Sequence, residues 1–549
     1  MTSISFSSPT NALRLVNPLL YPAADYPNGV MTYSFWGLLA NGTQGTAEGR
    51  TGGYQRSSGV PTRFFLNVPA DIQATVNAAL ANISKFVNLS FVQVSDTGFQ
   101  FSQNRNLSQR GRIRVMVDGR GAANGTSHQT QSGDPQRGGE TFYRPWTPTQ
   151  TTTNLPRKAS WTLQGQLLVS PTNYLNEVIL HELQHSLGLG HGHDKGTVVN
   201  GVDTEHSPQT DNVWNTAQSY NGPVGWVGSG NESPVMVATS MPDDITALQS
   251  IYGAKPFNNE ATTYTFLRGD LYRASSRRQL LDERIVDQKI PNINTLDDSA
   301  GIDYVDCSDV NAEFAREGVR VDIRPGGYVI SRGDWDSPVS YRDTNGPVQG
   351  ALIDGVPRKG TRLSWRTTIE NVQGTEYGAD TIIGNSIANW IAGYGGSDYL
   401  SGMGAADTLI GGPGGDQLVG GPDADLIYLG TGDGNADADI DFLDYGSASE
   451  SMTGPTMDKI YGFGANDIID LNNLDGNSRV AGRQPLAFIG SNVFSGASGE
   501  LRVVGPSGIG SRGFVEADLN GDRVADFCVA MVGGSVLATS LTTSNFQLL

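Results

Sequence analysis

Cysteine is nearly absent. Cys307 and Cys528 are the only two in 549 residues, so no disulfide framework holds this chain together. Two unpaired thiols are the simple reading, with a single long-range bridge as the alternative. Long apolar runs are missing too: none approaches the roughly 18 residues that a membrane-spanning helix needs. Positive charge is scarce, with 37 Lys+Arg against 56 Asp+Glu for a net charge of -19. That balance repels phosphate backbones and anionic lipid surfaces, which excludes nucleic acid and membrane surfaces as partners. The N-terminal stretch has no basic n-region, no long apolar h-region and no A-x-A cleavage site, so export through a conventional N-terminal signal is not expected. Glycine, by contrast, is in excess at 70 of 549, against an average share near 7%, and without the period of collagen.

The length exceeds what one hydrophobic core organises and predicts two to four domains. The first 250 or so residues carry mixed α/β patterning. Val30 to Trp36 is apolar enough for a strand, and Ile72, Val76, Leu80, Ile83 and Val87 recur at helical spacing. Leu89 to Val94 and Ile113 to Val117 alternate as half-buried strands, and Thr141 to Tyr143 is a short strand within a polar stretch. A helix is expected from Tyr174 to Leu187, stopped by Gly188. Another is expected from Pro242 to Tyr252, opened by Pro-Asp-Asp and closed by Gly253. The domain boundary follows at about 255/256. Residues 256–370 are expected to be a β-rich connecting part, 371–445 a repeat block and 446–549 a β-rich C-terminal domain. Residues 1–25 read as a disordered tail.

The glycine excess is concentrated in the repeat block. Asp398, Asp407, Asp416 and Asp425 are nine residues apart, and stepping back by nine reaches Asn389 and Asp380. Two residues after each stands an aliphatic side chain: Ile382, Ile391, Leu400, Leu409, Leu418 and Ile427. A fixed short period of this kind is the signature of a solenoid. Six residues of Gly-x-Gly-x-Asp type make a turn and three residues make a short strand, so two nonads close one coil and positions eighteen apart stack. Stacked carboxylates repel unless a hard cation sits between them. Carboxylate and carbonyl oxygens suit Ca²⁺, several ions of it. The expected calcium residues are Asp380, Gly393, Gly395, Asp398, Gly402, Gly404, Asp407, Gly411, Gly414, Asp416, Gly420 and Asp425. Further on, Asp518 to Asp522 resembles an EF-hand loop but lacks its Gly and Glu, and a tight Asn520-Gly521 hairpin turn explains it better.

The sharpest chemical signal is His181-Glu182-Leu183-Gln184-His185 followed by Gly188 and His191, the pattern HExxHxxGxxH. Four of the six histidines lie between positions 181 and 193. His181 and His185, four apart on a helix, project to one face and can reach one tetrahedral zinc ion. Gly188 must end the helix in a left-handed conformation so that His191 returns as a third ligand. Three neutral ligands leave one position open for water with a lowered pKa, and Glu182 is placed to take its proton as general base. The reaction expected is hydrolysis of a peptide bond. His193, His206 and His128 sit in polar loop sequence and read as bystanders.

With these residues in view, the chain resembles the serralysin-type metzincins, secreted zinc endopeptidases of bacteria that carry RTX repeats. The resemblance runs through Thr32 to Trp36, the zinc helix, Ser219-Tyr220, Met241 to Ile245, Ile251 to Gly253, the nonapeptide repeats and Phe494 to Arg502. It implies a metzincin-like catalytic domain (26–255) followed by a calcium-binding parallel β-roll and a β-rich C-terminal domain, one catalytic zinc, and Tyr220 as a retractable ligand that stabilises the oxyanion. It also implies secretion by type I machinery through an uncleaved C-terminal signal, consistent with the absence of charge after Asp526, and a short N-terminal propeptide as the alternative to a disordered tail for residues 1–25. A monomer acting on protein or peptide substrates is expected, with the substrate extended along an edge strand such as Thr141 to Tyr143. Two departures stand out: Gln218 occupies the place of the methionine beneath the zinc, and Gly192 that of a proline. The alternative is a secreted calcium-binding surface or adhesive protein whose protease site has degenerated.

Overall fold

The computed structural model describes residues 9–16, 27–35, 65–66, 68, 70–96, 113–118, 139–143, 174–191, 198–199, 202–203, 213–219, 236–237, 239–256, 260–267, 270–274, 292–308, 318–331, 342–343, 346–347, 360–436, 438–477, 479–506, 511–533 and 536–548. The chain divides into two compact units. The first spans Met1–Phe257, Ile285–Asp297 and Pro338–Trp365, and the second Asn258–Arg284, Asp298–Ser337 and Arg366–Leu549. The first unit's continuous stretch ends beside the expected boundary at 255/256. Two later segments expected in the connecting part nevertheless group with it. The reason is strand pairing: Asn292–Leu296 lies parallel to Gly360–Leu363 and also to Met236–Val237.

In the first unit, β1 (Val30–Phe35) lies parallel to β2 (Ser90–Gln93) on one side and to β3 (Ile113–Asp118) on the other. β3 in turn pairs in parallel with β4 (Gly139–Tyr143). Parallel neighbours need a crossover, and α1 (Ala70–Phe86) supplies the one between β1 and β2. Its apolar stripe of Ile72, Val76, Leu80 and Ile83 is buried. Two further helices position the chemistry, α2 (Tyr174–Ser186) and α3 (Pro242–Tyr252). The Tyr252 hydroxyl donates to the Leu187 carbonyl (2.9 Å), tying the end of α3 to the end of α2.

The second unit is built of β-sheet. Thr381–Ile383, Tyr399–Ser401 and Gln417–Val419 stack in parallel with partners eighteen residues apart, as do Trp390–Ala392, Thr408–Ile410 and Leu426–Tyr428. Two nonads therefore close one coil. Ile382, Ile391, Leu400, Leu409, Leu418 and Ile427 point into the coil and are fully buried. At roughly 1.5–3 kcal/mol for each buried aliphatic side chain, this column supplies the apolar free energy that holds the coils together. The column continues past the nonads through Leu443, Ile460 and Ile469. Residues after 446 group in the same unit as the coils. Lys459–Tyr461 and Ile468–Asp470 extend the same two sheets, and Phe527–Val532 joins behind Lys459–Tyr461. Ser511–Asp518 pairs antiparallel with Phe527–Val532, so a hairpin exists there, but its connection is wider than the tight Asn520-Gly521 turn expected. Asp518 Oδ1 accepts from the backbone N–H groups of Asn520, Gly521 and Asp522, and Oδ2 from that of Arg523, which holds the broad loop closed. Cys307 and Cys528 are both buried and unpaired with each other. Burial pushes both thiols up, that of Cys528 to about 12. No helix among the described residues is long and apolar enough to cross a membrane.

Candidate metal centre

α2 carries His181 and His185 one turn apart. After Ser186 the helix stops at Gly188, whose φ of 99 lies in the region where a side chain is costly. The Leu189 N–H bonds back to the Gln184 carbonyl and the Gly188 N–H to that of His185, both at 3.0 Å, the pattern of a Schellman end. This reversal brings His191 back against the helix face. The three Nε2 atoms converge: His181 and His185 are 3.0 Å apart, His185 and His191 3.0 Å, His181 and His191 3.3 Å. All three rings are buried.

The protonation of two rings follows from their partners. His181 Nδ1 lies 2.7 Å from the Ala217 carbonyl and His185 Nδ1 2.7 Å from the Leu189 carbonyl. A carbonyl only accepts, so each Nδ1 carries the proton in the neutral ring and each Nε2 presents a lone pair. Lone pairs facing one another at this distance need a cation between them. Nitrogens bound at about 2.0–2.1 Å to one tetrahedral ion are themselves roughly 3.3 Å apart, so the residues fit a metal ion. Among the described residues these donor atoms form one cluster within 4.8 Å of one another.

Beneath the triad runs the segment Val213–Ser219. Gln218 is buried, and its Nε2 donates to the His181 carbonyl (3.1 Å) and to Gln184 Oε1 (2.8 Å), while Gln184 donates to Ser240 Oγ (2.9 Å). Asp244, on the first turn of α3, accepts from Thr216 Oγ1 (2.6 Å), from the Ala217 N–H (2.8 Å) and from the Met241 N–H (2.9 Å). Burial pushes its carboxyl up to about 6 against these hydrogen bonds. Arg362, fully buried, donates to the Trp214 carbonyl (2.8 Å) and Asn215 Oδ1 (3.0 Å) from the far side of the segment.

The second set of candidate ligands lies in the coil turns. There each aspartate fastens one carboxylate oxygen to the coil before it. Asp398 Oδ1 accepts from the Asp380 N–H, Asp407 Oδ1 from Asn389, Asp416 Oδ1 from Asp398 and Asp425 Oδ1 from Asp407, all at 2.7–2.8 Å. The other oxygens of Asp398, Asp407 and Asp425 are buried and accept no hydrogen bond. Burial raises these three carboxyls to about 6, 8 and 7. Orphaned carboxylate oxygens in turns lined by backbone carbonyls suit a hard cation. Glycine five residues before each aspartate makes room for that oxygen. A Cβ on Gly393, Gly402, Gly411 or Gly420 would stand 2.2–2.4 Å from it. Gly395 and Gly414 lie under carbonyls of the neighbouring coil, and Gly404 has open space around it.

Two turns differ. Both oxygens of Asp380 are occupied by protein, from the Val319 N–H and from Thr375. At Asn389 an amide stands in the carboxylate position. Its Nδ2 donates to the Ile369 and Glu370 carbonyls (3.2 Å each), and its Oδ1 accepts from the Asn385 N–H (2.8 Å).

The sequence reading placed the three histidines together, and they are together. The backbone of Glu182 belongs to α2, but its side chain lies outside the described residues, as do Tyr220, Gly192, His193, His206, His128, Trp36 and much of residues 1–25. Part of that N-terminal stretch is placed: Ala12 and Leu15 are buried, and Val16 bridges to Leu189. The sequence reading missed Thr216, Asp244 and Arg362. Asp244 was visible as an acidic helix start and within the Met241 to Ile245 match, with nothing to tie it to Thr216, and no local pattern ties Arg362 to a segment some 150 residues away. It also missed Asp441, Asp458 and Asp467, which continue the carboxylate ladder by bonding the N–H groups of Asp416, Asp425 and Asp441. Insertions stretch their spacing to 25, 33 and 26 residues, which hides them from a search at period nine.

Neither a protein-family model nor a curated protein matches the chain. Among solved structures it is similar to the AlgE6R3 subunit of the Azotobacter vinelandii mannuronan C5-epimerase, at 24% identity over 32% of this chain and 78% of that one, with a TM-score of 0.16. A likeness at that TM-score carries no weight for fold or function.

Proposed function

We propose that the protein is a zinc-dependent endopeptidase of serralysin type, acting outside the cell on proteins or peptides, with a β-roll that calcium folds. The observation that carries this reading is the convergence of three buried imidazole Nε2 atoms whose protons two backbone carbonyls hold on the opposite nitrogens. His181, His185 and His191 would hold a zinc ion, which would supply Lewis acidity to a water and a peptide carbonyl. The chain's own groups do the rest. The Ala217 and Leu189 carbonyls fix the orientation of two rings. Glu182, next to His181 on α2, takes the proton from the attacking water and passes it to the leaving amine. Tyr220, two residues beyond Gln218, supports the charge that develops on the carbonyl oxygen. β4 offers an edge along which an extended peptide can lie. In the β-roll, calcium is the hard cation that the orphaned oxygens of Asp398, Asp407 and Asp425 would take up with the turn carbonyls.

The test is to purify the full chain in calcium, measure its zinc content, and follow casein cleavage before chelation, after zinc-selective chelation and after zinc is returned. The reading expects about one zinc per chain and activity that disappears and returns with it. Zinc bound without cleavage would favour the alternative, a calcium-binding surface protein with a degenerate site.

A further inference from the structure

We propose that Asp244 is a positioning residue for His181, acting through Thr216 and the peptide unit between Ala217 and Gln218; this rests on the reading of the triad as a metal site. Four groups form one directed chain of hydrogen bonds. His181 Nδ1–H donates to the Ala217 carbonyl (2.7 Å). That carbonyl shares its peptide unit with the Gln218 N–H, which donates to Thr216 Oγ1 (2.9 Å). The Thr216 hydroxyl has one proton, and it goes to Asp244 Oδ1 (2.6 Å). Every donor in the series faces the carboxylate, and all five residues, His181, Ala217, Gln218, Thr216 and Asp244, are buried. Pull on an amide N–H shifts electron density onto the oxygen of the same peptide unit, so each bond strengthens the one before it. A carboxylate hydrogen-bonded to the far nitrogen of a ligating histidine raises its basicity and fixes its tautomer. Here a hydroxyl and a peptide carry that influence across a gap that Asp244 does not span.

His185 provides the contrast. Its Nδ1–H meets the Leu189 carbonyl, and the N–H of the same peptide unit, that of Gly190, donates to the Leu15 carbonyl (2.7 Å). The series ends there on a neutral carbonyl, whereas that from His181 ends on a carboxylate. Asp244 is moreover held in place by the Ala217 and Met241 N–H groups on its other oxygen, so its geometry does not depend on the Thr216 bond alone.

The experiment compares the wild-type chain with Thr216→Val, Thr216→Ser and Asp244→Asn, all in calcium. Zinc affinity is read by competition with a chelator, melting temperature is read alongside, and the ring N–H resonances are read in the zinc-free, ¹⁵N-histidine-labelled protein. Thr216→Val keeps the shape and removes the link, so it is expected to weaken zinc binding about 10-fold or more and to shift one Nδ1–H resonance upfield. Thr216→Ser, which keeps the hydroxyl, should stay within about twofold of wild type. Asp244→Asn should lose affinity as Thr216→Val does. A Thr216→Val variant that melts lower but binds zinc as wild type does, with its Nδ1–H resonance unmoved, overturns the proposal and leaves Thr216 a purely structural residue. Should that variant not fold, Thr216→Ala is judged by the same criteria. A wild-type chain that takes up no zinc overturns the metal reading itself, a result distinct from equal binding by wild type and variant.

Discussion

Gln218 binds both the carbonyl of His181 and the side chain of Gln184, while its own Oε1 is buried without a hydrogen-bond partner. A thioether in its place would remove that orphan and also release two acceptors. Loss of two buried bonds outweighs relief of one unmet oxygen, because a buried acceptor left without its donor costs about 1–3 kcal/mol. Gln218→Met is therefore expected to lower stability by about 1–2 kcal/mol in urea unfolding, with zinc content unchanged. A variant more stable than wild type would show that the amide is a burden at this site. The place of Gln218 was legible in the sequence only through the family pattern. What it does there was not, since Gln184, Ser240 and the His181 carbonyl come from other elements. The three histidines, by contrast, were legible because helical spacing and a single glycine determine where they point.

At the scale of an element, the nine-residue phase of Asp and aliphatic positions predicted the coil, its inward column and its eighteen-residue register. It could not predict where the coil continues. Asp441, Asp458 and Asp467 keep the ladder geometry while their sequence spacing drifts, and strands such as Tyr304–Asp306 and Val319–Asp322 join the sheets from well before the repeats. The turns give a matched pair of substitutions. A methyl group on Gly402 would stand 2.3 Å from Asp407 Oδ2 and 2.7 Å from the Gly420 carbonyl, whereas one on Gly404 meets nothing within 4 Å. Gly402→Ala should reduce the number of calcium ions bound, measured by calorimetric titration, and Gly404→Ala should leave it unchanged. Equal behaviour of the two would contradict the turn geometry. Asn389→Asp is expected to lower the melting temperature in chelator, because it sets a carboxylate against the Ile369 and Glu370 carbonyls that now accept from an amide.

For the whole molecule, the net charge of -19 includes carboxylates that the fold buries. Burial holds Asp398 at about 6, Asp380 and Asp425 at about 7, and Asp407 and Asp458 at about 8, against an ordinary value of 3.8. A carboxyl raised on folding favours the folded state below its unfolded value, and that contribution is lost as pH rises through the folded value. Without calcium the second unit should therefore become less stable as pH rises from about 4 to about 8. Calcium needs the ionised form, so the gain in melting temperature on adding calcium should grow over the same interval. Melting curves at several pH values with calcium or with chelator check both statements, and a calcium gain that shrinks with rising pH would contradict them. A boundary after the helix that Gly253 closes was read from the sequence, and the first unit's continuous stretch runs to Phe257. The return of Ile285–Asp297 and Pro338–Trp365 to the first unit was not legible, because pairing of Asn292–Leu296 with Gly360–Leu363 leaves no local mark.

The central claim is that the histidine triad serves hydrolysis of peptide bonds. Its most direct test is casein cleavage by Glu182→Ala beside wild type, with zinc measured in both proteins. The account predicts about one zinc per chain in each, cleavage by wild type, and a loss of at least about 100-fold in the variant, the scale of a missing general base. Full activity in a zinc-loaded Glu182→Ala protein, or none in a zinc-loaded wild type, would contradict it.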